Sequence, residues 1–181
     1  MNKRPQLHAS ALNMQCGEAF RRRYIEGEII PPGVAMLVGT ATHKSVAANL
    51  TRKIERKDPL TAEQVADAAR DGLNSEWERG GVSLQPEEAE EGIKAVKGAA
   101  VDKAVRLSVL HSRVKAPFLQ PTHVERSWSL EIPGYPVDLV GTLDIQEGTA
   151  TVRDTKTSGK TPNDDVADTS IQLTAYALAV Q

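Results

Sequence analysis

The stretch Val140-Gly-Thr-Leu-Asp-Ile145, followed after Gln146-Glu-Gly148 by Thr149-Ala-Thr-Val-Arg-Asp-Thr-Lys-Thr157, decides the reading of this chain. Its β-branched content and the glycine break between the two runs predict the two strands of a hairpin. Alternate residues of a strand share a face, so Ala150, Val152, Asp154 and Lys156 point the same way. The first two suit a core, and the last two carry full charges. Burying a charge is costly unless it is paired or binds a metal. The end of this strand is therefore either solvated or a site.

Asp144 brings a third charge from the preceding strand. A two-residue loop would send it to the face opposite Asp154. A loop of Gln146, Glu147 and Gly148 pairs Ile145 with Thr149 and sets Asp144 on the face of Ala150, Val152 and Asp154. Gly148 suits the left-handed position of such a loop, so this second arrangement is expected. In a regular ladder Asp144 then faces Ala150, roughly 13 Å of strand from Asp154 at ~3.3 Å per residue. A bend near Gly141 or a bulge must shorten that distance before one cation can be shared. The competing reading is a surface hairpin with an Asp154–Lys156 ion pair.

Working outward, 122–132 alternates as a strand through Val124, Trp128, Leu130 and Ile132, and Pro133-Gly134 turns the chain into the next strand, 137–145. Upstream the period changes to that of helices. Leu12, Cys16, Ala19, Phe20 and Tyr24 predict a first helix capped by Ser10, ended by Pro31-Pro-Gly33. A second is expected to open at Gly39-Thr40, with Thr40 as cap and His43 in its first turn. Thr61 and Gln64 form a capping box before a third helix carrying Val65, Ala69, Leu73 and Trp77 to Gly80-Gly81. Pro86 with Glu87, Glu88, Glu90 and Glu91 opens a fourth, long helix to about Val114, the glutamates being structural. A last helix begins near Asp164 to Asp168 and is still running at Gln181, which leaves a C-terminal continuation open.

The expected fold is α/β (α+β): a central mixed sheet with a three-strand meander, flanked by helices. A single domain, 1–181, is expected, with a helical half (1–116) packing on the sheet and closing helix (117–181). Hydrophobic residues make up 40% and charged residues 25% of the 181, a globular profile without an apolar run of membrane-spanning length. Met1-Asn-Lys-Arg-Pro has no apolar segment behind it, so a secretory signal is not expected. Cys16 is the only cysteine, so no internal disulfide can form and a reducing, cytoplasmic setting is expected. The formal net charge of −2 argues against a coat protein that grips nucleic acid by bulk charge. Phosphate contacts would need local patches such as Arg21, Arg22 and Arg23, or Lys156 with Lys160. His8, His111 and His123 lack metal-like spacing, so zinc is not expected.

Gly141-Thr-Leu-Asp144 and Val152-Arg-Asp-Thr-Lys-Thr157 together resemble the two central motifs of PD-(D/E)XK nucleases of the RecB-like exonuclease branch. Further features fall in that family's order. They are the segment with Leu12, Cys16, Phe20, Arg23 and Tyr24; Gly39-Thr-Ala-Thr-His43; Glu125; and Gln172-x-x-x-Tyr176. The resemblance implies a restriction-endonuclease-like core and hydrolysis of DNA phosphodiester bonds with Mg²⁺ or Mn²⁺. It implies Asp144, Asp154, His43 and the carbonyl of Thr155 as metal ligands. Glu125 completes the site or orients a water, and Lys156 positions or deprotonates the attacking water. Gln172, Tyr176, Arg21 and Arg23 become candidate substrate contacts. Carboxylate oxygens suit both cations, and the metal lowers the pKa of its water. Some relatives carry an iron–sulfur cluster on four cysteines; with Cys16 alone, this chain is not expected to build one, and Cys16 is expected to be a small buried hydrophobe. The alternative is a catalytically silent DNA-binding or assembly module on the same fold.

Overall fold

The structure is a computed structural model that describes residues 4–14, 16–159, 163 and 165–180. Lys160 of the expected phosphate patch, Asp164 at the expected helix start, and the terminal Met1, Asn2, Lys3 and Gln181 lie outside the described residues. The chain divides into two compact units: 1–30, 123–154 and 159–181 form one, and 31–122 with 155–158 the other.

The first unit is built on a four-stranded mixed sheet. Strand β1 (Gln6–His8) lies parallel to β3 (Asp138–Glu147), with Leu7 opposite Leu139. Strand β2 (Pro121–Glu131) flanks β3 on its other side, and β4 (Thr151–Arg153) pairs antiparallel with the far end of β3. Arg126 bonds Gln146 while Trp128 abuts Gly141, so β2 also runs antiparallel to β3. Leu139 and Leu143 bury against Ala175 and Tyr176 of the closing helix and against Ala9. Trp128, Leu130, Ile132 and Val152 pack around that cluster.

The N-terminal segment departs from expectation. Instead of one helix capped by Ser10, it makes β1, a 3-10 turn at Ala9–Asn13 that contains Ser10, a short helix α1 (Gly17–Phe20) and a π turn at Arg21–Ile25. Leu7 finds a ladder partner on β3, and Ala9 and Ala11 bury. Cys16 is exposed, not buried as expected.

The second unit is a three-helix packing. Helix α2 (Val34–Ile54) starts on Gly33, directly after Pro31 and Pro32, rather than at Thr40. Its core stripe, Leu37, Val38, Ala41, continues to Ser45, Val46, Asn49 and Leu50, so burial carries the helix six residues upstream of Thr40, from Val34. Thr40 instead donates its hydroxyl to the carbonyl of Met36. Helix α3 (Ala62–Gly80) has the expected capping box: the Gln64 amide donates to Thr61 Oγ1 at 3.2 Å, and the Thr61 amide to Gln64 Oε1 at 3.0 Å. A Cβ on Gly72 would lie 3.4 Å from Ala41 Cα, so small residues let α2 and α3 approach closely. The expected long fourth helix is two, α4 (Pro86–Glu91) and α5 (Ile93–Val114), because Gly92 adopts φ 85° between them. Trp77, Leu73, Val96, Ala100 and Ala104 close the core against α2.

The closing segment is also divided. A short α6 (Val166–Thr169) precedes α7 (Ile171–Ala179), which Ser170 caps by accepting from the amide of Leu173 at 3.2 Å. No described helix is long and apolar enough to cross a membrane.

Candidate metal centre

The hairpin has a loop of the expected length, displaced along the chain. Glu147 pairs with Thr151 and Ile145 with Arg153, so the loop is Gly148, Thr149 and Ala150 rather than Gln146 to Gly148. Gly148 takes the left-handed conformation, φ 61°. The third strand stops at Arg153, so Asp154, Thr155 and Lys156 follow it instead of lying inside it. The shift changes the partner of Asp144. The register, extended one residue past its last pair Ile145–Arg153, would bring Asp154 rather than Ala150 level with Asp144.

A buried glutamine fixes that register. Gln146 accepts from Arg126 at 2.6 Å, and its amide nitrogen lies 3.3 Å from the carbonyls of Gly148 and Thr149. Glu147 and Arg153 pair across the same two strands. A slip of one residue would leave the Gln146 amide buried without these partners, which is costly. The sequence reading places Gln146 in the loop and does not single out Arg126.

Glu125 sits inside β2 with φ 50°, a left-handed conformation rare for a side chain with a Cβ. The alternation of burial along β2 is interrupted around it, with Val124 and Trp128 half-buried and the three residues between them exposed. A local break of this kind re-aims a strand side chain. Here it brings the Glu125 carboxylate within 4.8 Å of that of half-buried Asp144. Two carboxylates so close repel one another unless a cation or a proton joins them. The oxygens are hard donors from adjacent strands, so the pair fits a hard divalent cation. That close set does not include Asp154, which is half-buried beyond the end of β4; Lys156 is exposed.

In the helical unit, His43 occupies the middle of α2 rather than its first turn, and is half-buried. His111 of α5 is its electrostatic neighbour. Burial holds His111 below its ordinary pKa, and the nearby charges of His43 and then Lys115 push in the same direction. His111 Nδ1 and the hydroxyl of Ser108 are buried without hydrogen-bond partners among the described residues.

The remaining site candidates are held by neighbours. Gln172 donates to the Tyr176 hydroxyl at 2.5 Å across one turn of α7, and the buried Tyr176 ring meets Trp128 edge-on at 5.9 Å. Arg21 is bonded to Glu18 at 2.8 Å and to Glu26, and Arg22 to Glu18 at 2.8 Å, so much of the positive charge expected at this patch is already neutralised. The Arg23 guanidinium lies 5.9 Å from the Tyr24 ring centroid.

The family model of the PD-(D/E)XK nuclease superfamily matches residues 9–181. No curated protein and no solved structure gives a match.

Proposed function

The chain belongs to the PD-(D/E)XK nuclease superfamily, whose chemistry is metal-dependent, and from that premise we propose a deoxyribonuclease of the RecB-like branch acting as an exonuclease in DNA repair, recombination or phage metabolism. The observation that supports it most is the convergence of Glu125 and Asp144, achieved through a left-handed backbone at Glu125. Backbone in that region costs free energy and persists where its surroundings over-determine it, commonly at functional sites. The restriction-endonuclease-like mixed sheet supplies the two strands that carry the pair.

In this reading Asp144, Asp154, the Thr155 carbonyl and His43 hold Mg²⁺ or Mn²⁺, and Glu125 completes the set or orients a water. The cation, when bound, lowers the pKa of a coordinated water and offsets charge on the phosphate. Lys156 positions or deprotonates the attacking water and offsets charge on the phosphate. The chain acts as one nuclease domain in a reducing, cytoplasmic setting. Gln172, Tyr176, Arg21 and Arg23 are substrate contacts, and Arg21 must exchange Glu18 and Glu26 for phosphate to serve.

The test is degradation of linear DNA with Mg²⁺ or Mn²⁺. Asp154→Ala and Lys156→Ala should each abolish it while circular dichroism and melting stay near wild type. Turnover that survives both changes refutes the assignment. A second reading, binding without turnover on this fold, draws on Asp154 standing outside the close carboxylate set. Wild-type protein that takes up Mn²⁺ and binds DNA but cleaves with no metal would select it.

A further inference from the structure

Phe118 is 82% exposed, yet the turn that carries it, Ala116–Phe118 at the end of α5, is tightly held. Ala116 and Leu119 on either side are buried. The Lys53 ammonium donates to the carbonyls of Ala116, Pro117 and Leu119 at 2.8, 3.2 and 2.6 Å. An exposed phenyl ring on a clamped turn is displayed at little further entropic cost, which is the condition for a pre-organised contact.

The chain leading into this turn is cationic. From Lys103 to Val124 the chain contains Lys103, Arg106, Arg113 and Lys115 and no aspartate or glutamate, in a protein of net charge −2. Arg113 and Lys115 are exposed, and Arg113 shares with Lys53 and Pro117 the wall of a cavity of about 270 Å³. Cations in the last turn of a helix complement its dipole, but that leaves the exposed ring without a reason. Aromatic rings beside a positive groove are how proteins hold single strands without reading sequence: the ring stacks on a base and the cations meet flanking phosphates.

We propose that the end of α5 and the Phe118 turn bind a single-stranded segment of nucleic acid, with Phe118 stacked on a base and Arg113 and Lys115 on the adjacent phosphates. The choice of nucleic acid as the occupant rests on the nuclease reading above.

Binding of fluorescein-labelled oligothymidylate to the full chain, with EDTA present to prevent turnover, is followed by anisotropy over a series of salt concentrations. Phe118→Ala should weaken binding on the order of 5- to 100-fold, the range that loss of one stacked base gives. Phe118→Trp should restore it. Changing both Arg113 and Lys115 to Ala should reduce the magnitude of the log–log salt slope by about 1 to 1.5. Because Phe118 is solvent-exposed, its variants should melt as wild type does. Equal affinity for Phe118→Ala and wild type with an unchanged salt slope overturns the proposal, as does wild type that fails to bind the oligonucleotide. Mn²⁺ titration by calorimetry separates the two readings. Mn²⁺ uptake with DNA cleavage but no role for Phe118 sinks this inference alone; absence of both Mn²⁺ uptake and DNA binding sinks the nuclease reading with it.

Discussion

Replacing Gly141 with alanine tests whether the strand that carries Asp144 is seated by its contact with Trp128. A Cβ at this position would lie 2.7 Å from Trp128 Cζ2, 2.8 Å from Cε2 and 2.9 Å from Nε1. Carbon atoms in contact prefer about 3.5–4.0 Å, so the overlap is on the order of 1 Å. The indole has little room to retreat, being packed against the core cluster and edge-on to Tyr176 at 5.9 Å and 81°. Overpacking of this kind costs about 1–3 kcal/mol. Gly→Ala also restricts the unfolded chain, which stabilises by about 0.4–1 kcal/mol where the backbone is compatible. The net expectation is a loss of about 1–2 kcal/mol. Urea unfolding followed by far-ultraviolet circular dichroism should show a lower midpoint with an unchanged m-value. Mn²⁺ affinity should fall as well, since Asp144 lies three residues along the displaced strand. Trp128→Leu opens the space, so the double variant should be more stable than the sum of the two single changes implies, with a coupling of about 0.5 kcal/mol or more. A Gly141→Ala protein as stable as wild type, or strictly additive effects, would refute the argument.

Two further outcomes follow from backbone and burial. Glu125→Gly removes a left-handed penalty of about 1–2 kcal/mol at a glycine cost of about 0.5–1 kcal/mol. The variant should be as stable as wild type or slightly more stable, while Mn²⁺ uptake and cleavage are lost; a clear loss of stability in urea would show that the residue is not strained. His111 is held below its ordinary pKa by burial and then by His43 and Lys115, so the unfolded chain binds its proton first as pH falls. Its contribution is complete above about pH 6.5 and declines as pH drops toward the folded-state value. His111→Phe should flatten the dependence of the urea midpoint between about pH 7 and 5, and an unchanged slope would count against the burial argument.

How much of this was legible in the chain differs element by element. The Thr61–Gln64 capping box, the α3 stripe through Trp77 and the Gly80-Gly81 stop are local, and the structure has them where the sequence puts them. The hairpin, its loop length and the left-handed Gly148 were legible for the same reason. Misreadings arose where distant partners decide. The helical spacing of Leu12, Cys16, Ala19, Phe20 and Tyr24 suggests one helix, where the structure has a 3-10 turn, the short α1 and a π turn. Helix α2 begins at Val34 because Leu37 and Val38 have a core to enter, which no cap signal announces. Gly92 was passed over inside a favourable helical pattern, though a glycine is cheap at φ 85° and costly inside a helix.

The candidate site divides along the same line. Charge at strand spacing near a turn draws attention to Asp144, Asp154 and Lys156, and the family resemblance adds Glu125. Their spacing in three dimensions was not in the sequence. The hairpin register depends on what Gln146 bonds to, Arg126 and two loop carbonyls, and that choice pairs Ile145 with Arg153 instead of Thr149. The approach of Glu125 to Asp144 depends on one residue leaving the β region of its backbone map. Period and propensity are properties of neighbours in the chain, and they fix which elements form. Register and a single left-handed residue are decided by partners brought close only on folding, and those decide whether the charges meet.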